Sequence, residues 1–325
     1  MAFFVAFLCN RKVVAVFMEF WNTHGGMILA SAALLTVGLN WTITGVVMGE
    51  APKKNIHAAA VMLTSSGAST ILTLIMLLFT GFGKASTQSL LMSGAFLWGA
   101  GALNGLMLNL MSNAMQKGPN GIIWATVQSA MIFPFLMGVF FFDVEPRVIR
   151  FVGLFSIIVS LVLSGLAREN NQVRGNWKLL TLVAFLLTGG IQCLVNGVSY
   201  FKEAELISPI YRTMMTSAGV TTMAAYRLWR FRKTVSLMEN LKNKRLGYYL
   251  IALTGIGLLC AILLQYPAMD KLAQLGAGSL SYPLMVSACV VGFAVYSIVV
   301  LREKPSPMQV ASLCCCTAGI IMICL

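Results

Sequence analysis

Residues 298–313 read IVVLREKPSPMQVASL, and residues 139–154 read VFFFDVEPRVIRFVGL. In each, an apolar run is broken by a few charges and a proline, and a second apolar run follows. Proline suits the first turn of a helix but not its interior, so each break marks one helix ending and the next beginning. Aligning Glu145 with Glu303 sets an offset of 158, and eight residues further on both copies carry a small residue, Gly153 and Ala311. Upstream, NAMQKGPNG (113–121) echoes PAMDKLAQLGAG (267–278): Ala114, Met115 and Lys117 match Ala268, Met269 and Lys271 at an offset of 154. A loop four residues longer in the second copy reconciles the offsets. The chain thus divides into two related units, 27–166 and 179–325, joined by a linker at 167–178 and preceded by a tail at 1–26.

Composition says what these units are made of. With 58% hydrophobic and only 10% charged residues, and a mean hydropathy of +0.83, 325 residues cannot cover a core with polar surface in water. Apolar runs near the ~20 residues that cross a bilayer as helix recur throughout, and a membrane span must satisfy its own backbone. Ten spans are expected, roughly at 27–48, 58–80, 90–113, 121–142, 148–166, 179–200, 208–226, 247–268, 279–301 and 308–325. The expected fold is therefore all-α and integral to a membrane, with about ten transmembrane helices. Five spans per unit is an odd number, so the second unit enters upside down relative to the first. Two inverted five-helix repeats follow, an arrangement that places a solute site near the midplane between them.

The net charge of +13 reports topology rather than a nucleic-acid partner. The odd-numbered connections hold Lys53, Lys54, Lys117, Arg168, Arg174, Lys178, Arg227, Arg230, Arg232, Lys233, Lys242, Lys244, Arg245, Arg302 and Lys304. The even-numbered ones hold Lys84, Arg147, Arg150, Lys202 and Lys271. Cytoplasmic loops collect such residues, which places the odd connections, including 167–178, in the cytoplasm and both termini outside a cytoplasmic (inner) membrane. The seventh connection, WRFRKTVSLMENLKNKR (229–245), is read as a lipid-contacting segment. Arg11 and Lys12 would break the charge rule, and MAFFVAFLCNRKVVAVF fits neither a signal peptide nor a lipoprotein leader, so translation is expected to start at Met18.

At this point the chain resembles the ten-span drug/metabolite transporter superfamily. YPLMVSACVVGFAVYSIVVLREKPSPMQVASLCCCTAGIIMI (282–323) looks like its penultimate span, short glutamate-bearing loop and final span. ATVQSAMIFPFLMGVFFFDVEPRVIRFVGLFSIIVSLVLSGL (125–166) looks like the same unit in the first half. SGAFLWGAGALNGL (93–106) and GIQCLVN (190–196) are similar to segments of the rhamnose/proton symporter group, whose lysine-rich aromatic signature after the first span is reduced here to Lys53 and Lys54. The resemblance implies a secondary active or facilitative transporter, a permease or symporter for a small polar metabolite, with sugar-like solutes favoured. A drug or amino-acid exporter of the same superfamily is the alternative, and a multi-span membrane enzyme a more distant one.

Polar side chains inside spans are costly and are expected to face the bundle interior. The candidates for substrate binding are Asn40, Trp41, Trp98, Asn104, Trp124, Gln128, Gln192, Asn196, Arg212, Gln265, Tyr266 and Tyr282. Amides bond hydroxyls in both directions, and aromatic rings cover the apolar faces of a sugar. Each could equally bond helix to helix. For Arg212, three residues after Pro209, snorkelling to the outer interface is the preferred reading, and orienting an anionic group the sharper one. Every Asp and Glu falls in a loop or at a span end, which leaves no evident proton relay; coupling through a residue such as Glu50 stays open.

No catalytic residue, metal site or cofactor is expected. There is no GxxxxGK[ST] and no HExxH, and GAGALNG (99–105) lacks the preceding strand a dinucleotide fingerprint needs, so Gly101 and Gly105 are read as a helix-packing face. Cys314, Cys315 and Cys316 point about 100° apart on a helix and cannot converge on one ion. The expected partners are a small polar solute, a coupling cation and membrane lipid, with no nucleic acid.

Overall fold

The structure is a computed structural model that describes residues 26–142, 148–166, 175–232, 237–302 and 306–324. The two charged turns with Glu145 and Glu303, most of the 167–178 linker and the segment around Met18 lie outside the described residues. Among the described residues there is no strand, only an isolated bridge between Gly83 and Ile207. Ten long helices follow one another there: α1 Met27–Glu50, α2 Ala58–Thr80, α3 Thr87–Met115, α4 Asn120–Phe141, α5 Val148–Leu166, α6 Trp177–Val198, α7 Pro209–Arg230, α8 Lys244–Gln274, α9 Ser281–Val299 and α10 Pro307–Cys324. Seven are long and apolar enough to cross a membrane: α1, α2, α3, α4, α6, α8 and the rod containing α9. Val148–Ser160 and Val310–Met322 are shorter apolar stretches of α5 and α10. α7 is interrupted by hydroxyls and arginines. The chain is a multi-pass, all-helical membrane protein.

Most helix limits lie within four residues of the sequence expectation, but α8 runs six residues past it, to Gln274, with Pro267 in its interior. A proline in a helix interior strikes the carbonyl four residues back. Here the turns before it are π-helical, Ile251–Ile256 and Cys260–Gln265, and this wider winding relieves that contact. In α4 a 3₁₀ turn at Ser129–Met131 sits just ahead of Pro134. The seventh connection carries a short helix, Leu237–Lys242, with Met238 and Leu241 exposed.

Packing crosses the halves. α1 lies on α9 and α6 on α4; α3 packs on α6 and α1 on α8; α2 pairs with α7, α5 with α10, and α3 with α7. Where α3 meets α7, a Cβ on Gly101 would strike the Thr216 carbonyl, and one on Gly219 the Trp98 carbonyl. Gly105 faces Met223 and the Val220 carbonyl, so the small face of α3 is a packing surface.

Polar ties join the halves at both ends of the bundle. At one end, the His57 N–H donates to Asn240 Oδ1 (2.8 Å) and Asn243 Nδ2 to the Lys54 carbonyl (3.2 Å). At the other, the Lys84 N–H donates to the Leu206 carbonyl (2.9 Å) and Ser208 N–H to the Phe82 carbonyl (3.1 Å). There the Ser86 N–H and hydroxyl both reach Glu203 Oε2 at 2.7 Å, which holds that carboxyl below its usual range.

Two glycines on one helix make a contrasting test. Gly101→Ala pushes a Cβ into backbone and should destabilise by about 1–3 kcal/mol. Gly99→Ala meets nothing within 4 Å and should stabilise by about 0.5–1 kcal/mol through helix propensity. Thermal unfolding in detergent should move in opposite directions, and a shared sign would mean that α3 does not meet α7 at Gly101.

Candidate functional site

A cavity of about 310 Å³ opens between the halves, with walls from α1, α2, α3, α4, α6, α7, α8 and α9. No side chain in its lining carries a charge. Nine of the residues expected from sequence line it: Asn40, Trp41, Asn104, Trp124, Gln128, Gln192, Gln265, Tyr266 and Tyr282. Trp41 and Tyr282 form one aromatic corner, with ring centroids 5.9 Å apart. Trp124 stacks on Phe293 at 5.2 Å and donates its indole N–H to Cys289 Sγ at 3.2 Å, which fixes its plane. The amides differ from this ring, because Oε1 of Gln128 and Oε1 of Gln192 are buried with no hydrogen-bond partner. Buried polar atoms are nearly always paired, so acceptors left open at a cavity wall are where a donor from a solute gains most.

Three expected residues lie elsewhere. Trp98 is 43% exposed on the outer surface of α3 and absent from the cavity lining. Asn196 is buried near the end of α6 without reaching the cavity lining. Arg212 does not snorkel. It is 1% exposed, and its Nη1 donates to Asp270 at 2.8 Å while Nη2 donates to the Ala204 carbonyl. Its guanidinium also lies 5.6 Å from the Tyr266 ring. Asp270, expected at a span end, is buried for the same reason, because α8 continues past Pro267 and carries it inside. The pair sits one layer behind the cavity: Tyr266 lines the wall, and its hydroxyl is 3.1 Å from that of Thr216, also in the wall.

The hydroxyls are what the sequence reading missed. Ser65, Ser66, Ser69, Thr213, Thr216 and Ser217 all line the cavity. Several of them form a seam between α2 and α7, in which Thr70 donates to Ser217 (3.0 Å) and Thr221 to Ser66 (2.9 Å). A lone Ser or Thr in a helix usually bonds the carbonyl four residues back and carries no signal. The clustering in TSSGAST (64–70) and in α7 was the available clue. The three consecutive cysteines diverge as expected: Cys314 is exposed, Cys315 intermediate and Cys316 buried. Among the described residues no group of three or more His, Cys, Asp or Glu could hold a metal.

No family model matches the chain, and no curated protein matches it. Solved structures do. One, described only as "Crystal structure of protein", superposes with a TM-score of 0.54 at 12% identity, over 91% of this chain and 95% of that one. At such identity the likeness concerns the fold alone, which another chain of nearly the same length shares.

Removing one partner of a buried pair leaves the other charged and unsolvated. Asp270→Asn should therefore cost about 3–5 kcal/mol of stability, and Arg212→Met with Asp270→Leu should restore most of it. Detergent melts of the single and double variants check this; a single variant as stable as the parent would show that the pair is not buried.

Proposed function

We propose that the chain is a secondary carrier that moves a small, neutral, polar and sugar-like metabolite across the cytoplasmic membrane by alternating access. The observation that carries this is the cavity, which lies between the two halves and is walled by amides, hydroxyls and aromatic rings without a charge. A neutral wall neither attracts nor repels ions, whereas open amide acceptors beside flat rings suit a solute with many hydroxyls and apolar faces. The carrier is not an enzyme in this proposal, and it uses no cofactor.

Ten spans in two inverted repeats, as in the drug/metabolite transporter superfamily that the sequence resembles, are part of the proposal. The packing pattern supports them. If α1 to α5 are exchanged with α6 to α10, the α1–α9 contact becomes α6–α4, and α3–α6 becomes α8–α1; both of these partners are present. The α2–α7 and α5–α10 contacts map onto themselves. The end ties obey the same exchange, since the bonds between the first and seventh connections become those between the sixth and second. α5, α7 and α10 would then span as well, shielded by neighbours rather than by their own hydropathy. Basic connections facing the cytoplasm put both termini outside, so an alkaline phosphatase fused to the C-terminus should be active; a silent but well-expressed fusion would reverse the orientation.

Counterflow in liposomes tests transport directly. Protein loaded against radiolabelled rhamnose, glucose, nucleosides and amino acids should show uptake stimulated by internal unlabelled solute for a neutral sugar-like member of the panel. Trp41→Ala and Gln192→Ala should each weaken that solute's half-saturation by roughly tenfold, the worth of about 1.4 kcal/mol. Absence of exchange across the whole panel would defeat the carrier proposal.

A further inference from the structure

The last turn of α6 and the turn leading into α9 meet outside the cavity, and both bring oxygens there that make no hydrogen bond. Asn196 and Ser279 are both buried, at 1% exposed each. Both amide atoms of Asn196 and the hydroxyls of Tyr200 and Ser279 lack partners. The two stretches touch. A Cβ built on Gly278 would lie 2.8 Å from the Tyr200 hydroxyl, and one on Gly138 of α4 would lie 2.9 Å from Ser279 Cβ and 3.8 Å from the same hydroxyl. The Asn196 side chain lies beside the Tyr200 hydroxyl, but without hydrogen-bond geometry good enough to satisfy either. Phe142 stacks flat on Tyr200, with centroids 3.8 Å apart, and covers this corner.

Buried polar groups are paired in the great majority of cases, so three unpaired oxygens on two touching segments call for a ligand. The chemistry narrows what it is. Hydroxyl and amide oxygens are ligands for hard cations. No carboxylate is among them, so the charge needed to strip water from a divalent ion is missing, and a monovalent ion fits the set. α6 ends at Val198; its last carbonyls already accept from the Ser199, Tyr200 and Phe201 N–H groups, but they keep the partial negative charge of a helix C-terminus, which favours a cation nearby. Helix C-termini serve as ion ligands of this kind in carriers generally.

We propose that Asn196, Tyr200 and Ser279, with the end of α6, form a binding site for an alkali cation of the Na⁺ type. The site shares its two segments with the cavity wall: Gln192 and Val195 precede it on α6, and Tyr282 follows three residues after Ser279. An ion here fixes Tyr282 against Trp41 and so orders one wall of the solute site. Its part in coupling rests on the carrier proposal, whereas its binding does not.

The test needs no solute. Thermal unfolding of the purified full chain is followed in NaCl, KCl and choline chloride at equal ionic strength, together with binding of radiolabelled Na⁺. The expected result is a midpoint about 3 °C or more higher in Na⁺ or K⁺ than in choline, saturating with concentration. Ser279→Ala and Asn196→Ala should lose that rise, and Trp98→Phe on the outer surface should keep it. Should either variant fail to fold, Na⁺ binding by the parent chain decides. Equal midpoints in all three salts with no bound Na⁺, the result for a cluster filled by water, would overturn the site, as would a rise that survives both substitutions. An ion-dependent rise without counterflow would reject the carrier and leave the site standing.

Discussion

Helices surrounded by lipid gain little by hiding apolar surface from one another, so what holds them is close contact and polar bonding. In this chain both converge on α7. Its backbone meets that of α3 where Gly101 and Gly219 leave no room for a side chain, its hydroxyls interlock with those of α2, and its buried arginine is tied to α8 through Asp270. A helix so engaged does not need an apolar surface. This explains why α7, long enough to span, is absent from the seven helices whose composition alone would take them across. The cost of its polar atoms is offset by neighbours on several sides, and those same atoms give the cavity much of its hydroxyl lining.

Arg212 and Asp270 also give the end of the bundle near Glu203 a different character from the rest. A pair buried to this degree gains from its Coulomb attraction only while water stays out. The guanidinium bridges α8 and the Ala204 carbonyl of the preceding connection, so three segments are joined at one group. Tyr266 stands between that group and the cavity, its ring towards the cation and its hydroxyl towards Thr216. Polarity at the site is therefore layered, neutral at the wall and charged one side chain behind it.

Much of this was legible in the sequence, for reasons that differ by feature. Helices announce themselves because hydrocarbon demands long uninterrupted apolar runs, and their limits were marked by prolines, glycines and charges. Amides and aromatic rings within such runs are rare enough to be informative, and nine of the twelve residues chosen on that ground lie at the cavity. Trp98 misled because an indole is as comfortable against lipid as against a solute. Arg212 misled because snorkelling is judged from distance to a helix end, whereas burial depends on a partner 58 residues away. Asp270 was placed at a span end because the expected span stops at 268, whereas α8, wound in part as a π-helix, runs on to Gln274.

That last exception has a consequence for the shape of the cavity. Leu253, Gly257, Ala261 and Gln265 line it at intervals of four residues along α8. In a regular α-helix each step of four overshoots a full turn by about 40°, so after three steps Gln265 would point roughly 120° away from Leu253. The wider π turns at Ile251–Ile256 and Cys260–Gln265 absorb that drift and keep the four residues in a column. Winding, rather than any single side chain, is what lets one helix present a straight wall along the depth of the cavity.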